Sequence, residues 1–169
     1  MRLFIAINLN DEMKEAVMDI QDTMMTYGIR GKATVPENMH LTLAFIGEYG
    51  DPDHVRSVVD SIEISPFEIS LRGIGAFHDL WWVGIENSAP LKSVAKRLRR
   101  ALAEADIPYD RKKFSPHITM IRRAEGRLED APAEELAKEL TSFGVSMTVD
   151  HISLMRSDRG RHGMIYTEL

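Results

Sequence analysis

His40-Leu41-Thr42-Leu43 and His117-Ile118-Thr119-Met120 are two copies of one pattern: histidine, apolar residue, threonine, apolar residue. Each opens a run of apolar and β-favouring residues, and each half of the chain carries one copy. In a strand, residues two apart project to the same face. Each histidine therefore shares a face with its threonine, while the apolar residues between them point into a core. Two such strands facing one another gather two imidazoles and two hydroxyls around one small space. A single His-x-Thr-x in a chain with six histidines is unsurprising. Two of them, each in an apolar β-run, mark His40 and His117 as candidate catalytic groups. Thr42 and Thr119 are the matching candidates for substrate binding.

This set suits chemistry on a phosphate. Imidazole titrates near pH 6.5, so both of its protonation states are available near neutrality. One ring serves as neutral base and the other as imidazolium acid. The hydroxyls donate to nonbridging phosphate oxygens, where charge grows in the transition state. Arg122, five residues after His117, adds charge-assisted hydrogen bonds and is a third substrate-binding candidate. Water or a neighbouring ribose hydroxyl is the nucleophile, so no side-chain nucleophile is required. A zinc site wants three or four His, Cys, Asp or Glu ligands at suitable spacing. This chain has no cysteine and no His-x-x-x-His, and His54, His78, His151 and His162 share no motif. No metal and no other cofactor is expected. A Gly-x-Ser-x-Gly nucleophile context, a P-loop and a dinucleotide fingerprint are absent as well.

The length, 169 residues, fits one domain or two small lobes sharing a core. Hydrophobic residues at 44% and charged residues at 28% are those of an ordinary soluble protein. The lack of cysteine removes disulfides and thiolate chemistry and suits a reducing compartment. The opening Met1 to Leu9 is too short and too soon interrupted for a signal peptide, and no apolar stretch approaches the roughly 20 residues of a membrane span. A cytoplasmic protein with no membrane partner is the expectation. With no heptad or sticky stripe in view, a monomer is expected too.

The net charge of −5 argues against a protein that coats duplex nucleic acid. The positive charge is local. Arg97, Arg99 and Arg100 cluster, as do Arg111, Lys112 and Lys113; Arg122-Arg123 and then Arg156, Arg159 and Arg161 follow. A basic cleft on an acidic body fits a small anion or one strand end. Lys112, Lys113 and Arg156 join Arg122 as phosphate candidates.

Alternation predicts strands over Arg2–Leu9, His40–Gly47, Phe67–Gly73, Leu80–Glu86, His117–Arg122 and Met164–Glu168. Phe143–Met155 reads as one bent strand. Asn10, Asp51 and Ser88 or Ala89 start helices reaching Met25, Ile62 and the basic tail at Arg100, and Ala131-Pro132 starts another ending near Thr141. Tyr27–Glu37 reads as loop. Strands and helices intermix without a strict alternating rhythm, which favours α+β with antiparallel sheets over a doubly wound fold. Phe45, three residues beyond Thr42, falls on the strand face opposite His40 by parity and is expected in the core. One of Trp81 and Trp82 faces outward, where it can stack on a base.

At these residues the sequence resembles the two-histidine (2H) phosphoesterase superfamily, and within it the RNA 2′,3′-cyclic phosphodiesterases, also called 2′-5′ RNA ligases. The similarity runs through Arg2–Ile7, His40–Glu48, the Trp-containing Leu80–Ile85, Phe114–Met120 with Arg122, and Ile152–Ser157 with Gly163–Tyr166. Asn8 and Met120 depart from the commoner residues without touching the chemistry. The resemblance implies a single bilobal α+β domain over residues 1–169. Two antiparallel β-sheets with flanking helices, related by a pseudo-twofold, enclose a central cleft with one His-Thr pair from each lobe. It implies metal-independent opening of a terminal 2′,3′-cyclic phosphate to a 2′-phosphomonoester, with His40 assigned as acid and His117 as base. The partner is RNA with such an end, single-stranded or a tRNA fragment, and a 5′-hydroxyl replacing water joins to that end in a reversible 2′-5′ ligation. Other cyclic phosphates, 2′-5′ linked oligonucleotides and non-catalytic binding of an RNA end are the competing readings.

Overall fold

Hydrogen bonding sorts the strands into two antiparallel sheets. The computed structural model describes residues 1–126, 135 and 145–169. In chain order the elements are β1 (Arg2–Asn8), α1 (Asp11–Thr26), β2 (Arg30–Ala33), β3 (His40–Glu48), α2 (Pro52–Ser61), β4 (Phe67–Phe77), β5 (Leu80–Ile85), α3 (Ala89–Glu104), β6 (His117–Glu125), β7 (Ser146–Val149), β8 (Ser153–Gly160) and β9 (Gly163–Glu168). A 3-10 turn occupies Pro36–Asn38. One sheet has the order β3-β1-β8-β9, the other β2-β6-β5-β4-β7. The α+β expectation therefore holds.

Local chemistry starts each helix where the sequence marks it. Asn10 accepts the Met13 N–H at 2.9 Å, Asp51 accepts that of His54 at 3.2 Å, and Ser88 caps α3 through Leu91. These side chains satisfy amide donors that the first helical turn leaves without partners. Met13, Val17, Ile20 and Met24 form the buried stripe of α1, and Leu91, Val94, Leu98 and Leu102 that of α3. One continuous core draws on both sheets and on α1, α2 and α3, with Leu3, Ile5, Leu43, Val83, Ile118 and Ile121 at its centre. Truncating one of these to alanine costs about 2–5 kcal/mol.

The two halves repeat a unit. β1 and β3 pair antiparallel with α1 between them in sequence, and β5 and β6 pair antiparallel around α3. A motif opens the second strand of each unit. His40 lies opposite Asn8 and His117 opposite Gly84; Thr42 lies opposite Ala6 and Thr119 opposite Trp82.

Three expectations need correction. The Tyr27–Glu37 loop contains β2, a short polar strand with no alternation of its own, which exists because it pairs with β6 of the other half. The bent strand expected at Phe143–Met155 is two strands. β7 belongs to one sheet and β8 to the other, and the chain crosses between them at Asp150-His151-Ile152. β4 runs on to Phe77, past the Gly73 at which the expected strand ended, so His78 and Asp79 alone connect it to β5. The helix expected over 131–141, and Phe143, lie outside the described residues apart from Glu135.

Candidate active site

A bulge at the same place in both motif strands decides which side chains meet. Pairing of β1 with β3 skips Leu43, and pairing of β5 with β6 skips Met120, each the third residue after its histidine. An unpaired extra residue breaks strict alternation. Leu43 and Ala44 are consequently both buried in the core, as are Met120 and Ile121. The residue five places after each histidine then returns to the histidine's own face. In the second half that residue is Arg122; in the first it is Phe45. Phe45 packs with Phe4, Ala6, Met155 and Tyr166 in a small cluster separate from the main core. The parity expectation that placed it opposite His40 fails because the strand is not regular.

His40, Thr42, His117, Thr119 and Arg122 line one cavity of about 190 Å³. Each imidazole is held alike. His40 donates from Nδ1–H to the Asn38 carbonyl at 2.7 Å, and His117 from Nδ1–H to the Ser115 carbonyl at 2.7 Å. A carbonyl only accepts, so Nδ1 carries the proton and Nε2 is left for chemistry. Both acceptors sit two residues before their histidine, a second repeat of the half-site.

The surroundings of the rings differ. His40 is half-buried, with Phe4 at 4.8 Å between ring centroids and Tyr166 edge-on at 5.1 Å. Burial holds its pKa below the ordinary 6.5; the bond to Asn38 opposes that, and the charge of Arg122 and the proximity of His117 add to it. His117 is exposed, with Trp82 tilted beside it at 6.2 Å. Trp82 is the outward indole, fitted over Gly75, where a Cβ would stand 2.3 Å from the ring; Trp81 packs on the core.

Other expected phosphate ligands are elsewhere. Arg156 is paired with Asp158 at 2.8 Å, and neither it nor Lys112 nor Lys113 lines the cavity. Arg99 stacks near Tyr109 and Phe114 and donates to the Leu43 and Lys112 carbonyls, so its cluster fastens α3 to β3.

Five polar residues reach the cavity that the sequence did not single out: Lys32, Thr34, Asn38, His162 and Tyr166. Lys32 is directly opposite Arg122 in the β2–β6 pair. Asn38 donates its amide to the Met164 carbonyl at 2.9 Å, fastening the turn before His40 to β9. Buried Gln21 of α1 donates to the carbonyls of Thr34 and Met120, joining helix, β2 and the second motif. Among the described residues the cavity lining holds no carboxylate, and no group of three or more His, Cys, Asp or Glu gathers as metal ligands. No helix among them is long and apolar enough to cross a membrane.

Residues 29–161 match the family model of the 2′-5′ RNA ligase superfamily. The chain belongs to that superfamily. This member is 34% identical over 178 aligned residues to the RNA 2′,3′-cyclic phosphodiesterase of Methanothermobacter thermautotrophicus, covering 99% of this chain and 96% of that one. It is 29% identical to the protein of the same name from Thermotoga maritima, covering 100% and 93%. Among solved structures, TT0787 of Thermus thermophilus superposes with a TM-score of 0.80 at 28% identity, covering 100% and 95%. E. coli LigT complexed with 3′-AMP superposes with a TM-score of 0.82 at 26% identity, covering 99% and 94%.

Proposed function

We propose that this superfamily member opens the 2′,3′-cyclic phosphate at an RNA end to a 2′-phosphomonoester, by acid–base catalysis at His40 and His117 and without a metal. The observation that carries the proposal is the pair of imidazoles in one cavity, one from each sheet, each with Nδ1–H on a backbone carbonyl. Relatives at 29–34% identity named for this reaction support the substrate class.

Water attacks phosphorus in line with the 3′ oxygen. Its proton passes to one Nε2 as the new P–O bond forms; the other ring gives its Nε2 proton to the 3′ oxygen as that P–O bond breaks. Burial disfavours the cation of His40, which suits that shielded ring to the base role and leaves the acid role to His117, the exposed ring. This reverses the assignment made from sequence. Thr42, Thr119 and Arg122 donate to the nonbridging oxygens. A 5′-hydroxyl in place of water attacks the same phosphorus, gives its proton to the base as the 3′ oxygen leaves with the acid's proton, and so forms a 2′-5′ phosphodiester at the same site. Among the described residues the lining holds no carboxylate, which suits an anionic substrate.

The test is incubation with a nucleoside 2′,3′-cyclic phosphate and with short RNA ending in one, in the presence of EDTA. The expected product is the 2′-phosphomonoester from both. A 3′-phosphate product, absence of turnover, or activity that returns only with added metal overturns the proposal.

A further inference from the structure

The cavity does not end at Arg122. A larger groove of about 570 Å³ opens from it, sharing Lys32, Arg122, Gly163 and Met164 and adding Arg123 and Arg159. One carboxylate, Asp79, faces the same space. Among the described residues four cations thus outnumber one acid in the groove, on a chain whose net charge is −5. Among the described residues none of the four cations is in an ion pair. Like charges gathered without counterions repel, and a bound polyanion relieves that repulsion.

The backbone is bent to build this groove. Neighbouring strand residues point to opposite faces, yet Arg122 and Arg123 line the same space. Arg123 has φ of 49°, a left-handed conformation uncommon outside glycine. The β2–β6 register slips at the same point, so Gly31 alone spans the interval containing Arg123 and Ala124. A Cβ on Gly31 would stand 2.7 Å from Ile121 Cγ2 and 2.8 Å from the Arg122 carbonyl oxygen, so the bulge requires glycine there. Lys32 crosses to the β8–β9 hairpin, 3.4 Å from the His162 carbonyl, over Gly163, where a Cβ would stand 2.7 Å from Nζ.

The lining also says what kind of ligand fits. Among the described residues no aromatic ring faces the groove, so none of them offers a platform for stacking bases. Guanidinium forks and an ammonium match phosphodiester oxygens. We infer that this groove carries the phosphodiesters on the 5′ side of the reacting end, so that the preferred substrate is an oligonucleotide terminus and its upstream sequence goes unread. The inference rests on the hydrolase reading above and names the substrate length that reading leaves open.

Arg123→Asn and Arg159→Glu test it, alone and combined. Asparagine tolerates the left-handed conformation, and both native side chains are exposed, so melting temperatures serve as the check on folding. Steady-state kinetics on a nucleoside 2′,3′-cyclic phosphate are compared with those on a ten-nucleotide RNA bearing the same end. The wild-type KM is expected to be lower for the RNA and to rise with salt. The double variant should raise the RNA KM about tenfold, flatten the slope of log KM on log salt by about 0.7 for each phosphate no longer neutralised, and leave the mononucleotide within twofold. An unchanged RNA KM overturns the inference, as does an equal loss on both substrates. Fluorescence anisotropy with the same ten-nucleotide RNA reads the groove without catalysis. Should the wild type turn over neither substrate, the hydrolase reading falls, and weaker RNA binding by the double variant still decides the groove.

Discussion

The two half-sites share a backbone and differ in what they surround. In both, a histidine donates Nδ1–H to the carbonyl two residues earlier, a threonine follows on the same face, and a bulge at the third residue brings the fifth around. The first half then supplies Phe45 and closes Phe4 and Tyr166 over His40; the second supplies Arg122 and leaves His117 open beside Trp82. A repeated frame fixes geometry, while the neighbours decide protonation and charge. The inequality acts on His40, where burial favours the neutral ring.

The largest effects come from removing the rings. His40→Ala and His117→Ala should each lower kcat by about 10²–10⁴ on a cyclic phosphate. The comparison sharpens with a p-nitrophenyl phosphodiester, whose leaving group needs no proton. There His117→Ala should regain most of the wild-type rate and His40→Ala should not. The opposite pattern would return the acid role to His40.

The fifth-position residues come next, and they should separate cleanly. Arg122→Ala removes a donor to the transition state and is expected to cost about 10² in kcat/KM, with little change in melting temperature. Phe45→Ala opens the small apolar cluster and should destabilise by about 1–2 kcal/mol, less than a fully buried phenylalanine, with kcat largely kept. If Phe45→Ala lost activity without losing stability, the division of labour between the halves would be wrong.

Much of this contrast was legible in the sequence, and the missing part has one cause. The His-Thr spacing, the strand faces and the helix caps are local, and Asn10, Ser88, His40 and Thr119 all behave as their neighbours in sequence require. Bulges and pairings are not local. Nothing in Leu41–Phe45 announces that Leu43 is skipped, so parity sent Phe45 to the wrong face. Arg30-Gly31-Lys32-Ala33 carries no alternation because its partner β6 holds it in place, and Lys32 was hidden with it. Tyr166 lay within a stretch matched by resemblance, but only the β9 pairing with β8 brings it over His40.

Gly31→Ala probes that nonlocal pairing. The added methyl meets backbone as well as the tip of Ile121, and backbone does not swing aside. A loss of about 1–3 kcal/mol is expected, as for overpacking elsewhere. The change should fall more heavily on the second half-site, since among the described residues β2 pairs only with β6. Hydrogen exchange along β6 and β3 gives the readout: faster exchange in β6 alone supports the pairing, and equal change in both halves counts against it.

The smallest expected effect concerns His40 and stability. Burial, ahead of the charge on Arg122 and the proximity of His117, keeps its folded pKa below 6.5, although the Asn38 carbonyl pulls the other way. Between that lowered value and 6.5, the unfolded chain holds more protons than the native one. Stability therefore rises with pH through this window. The contribution is fully present above pH 6.5 and is lost as pH falls through the folded value. His40→Gln has no proton to exchange there, so the wild-type stability, measured by urea unfolding and taken relative to the variant, should climb with pH only below 6.5. The same lowered value places the rising limb of kcat/KM below pH 6.5, because the base must be neutral in the free enzyme. A stability difference that stayed flat across the window would mean that the ring over which Phe4 and Tyr166 close is no more shielded than an open one. The first half-site would then have lost its claim to be the basic one.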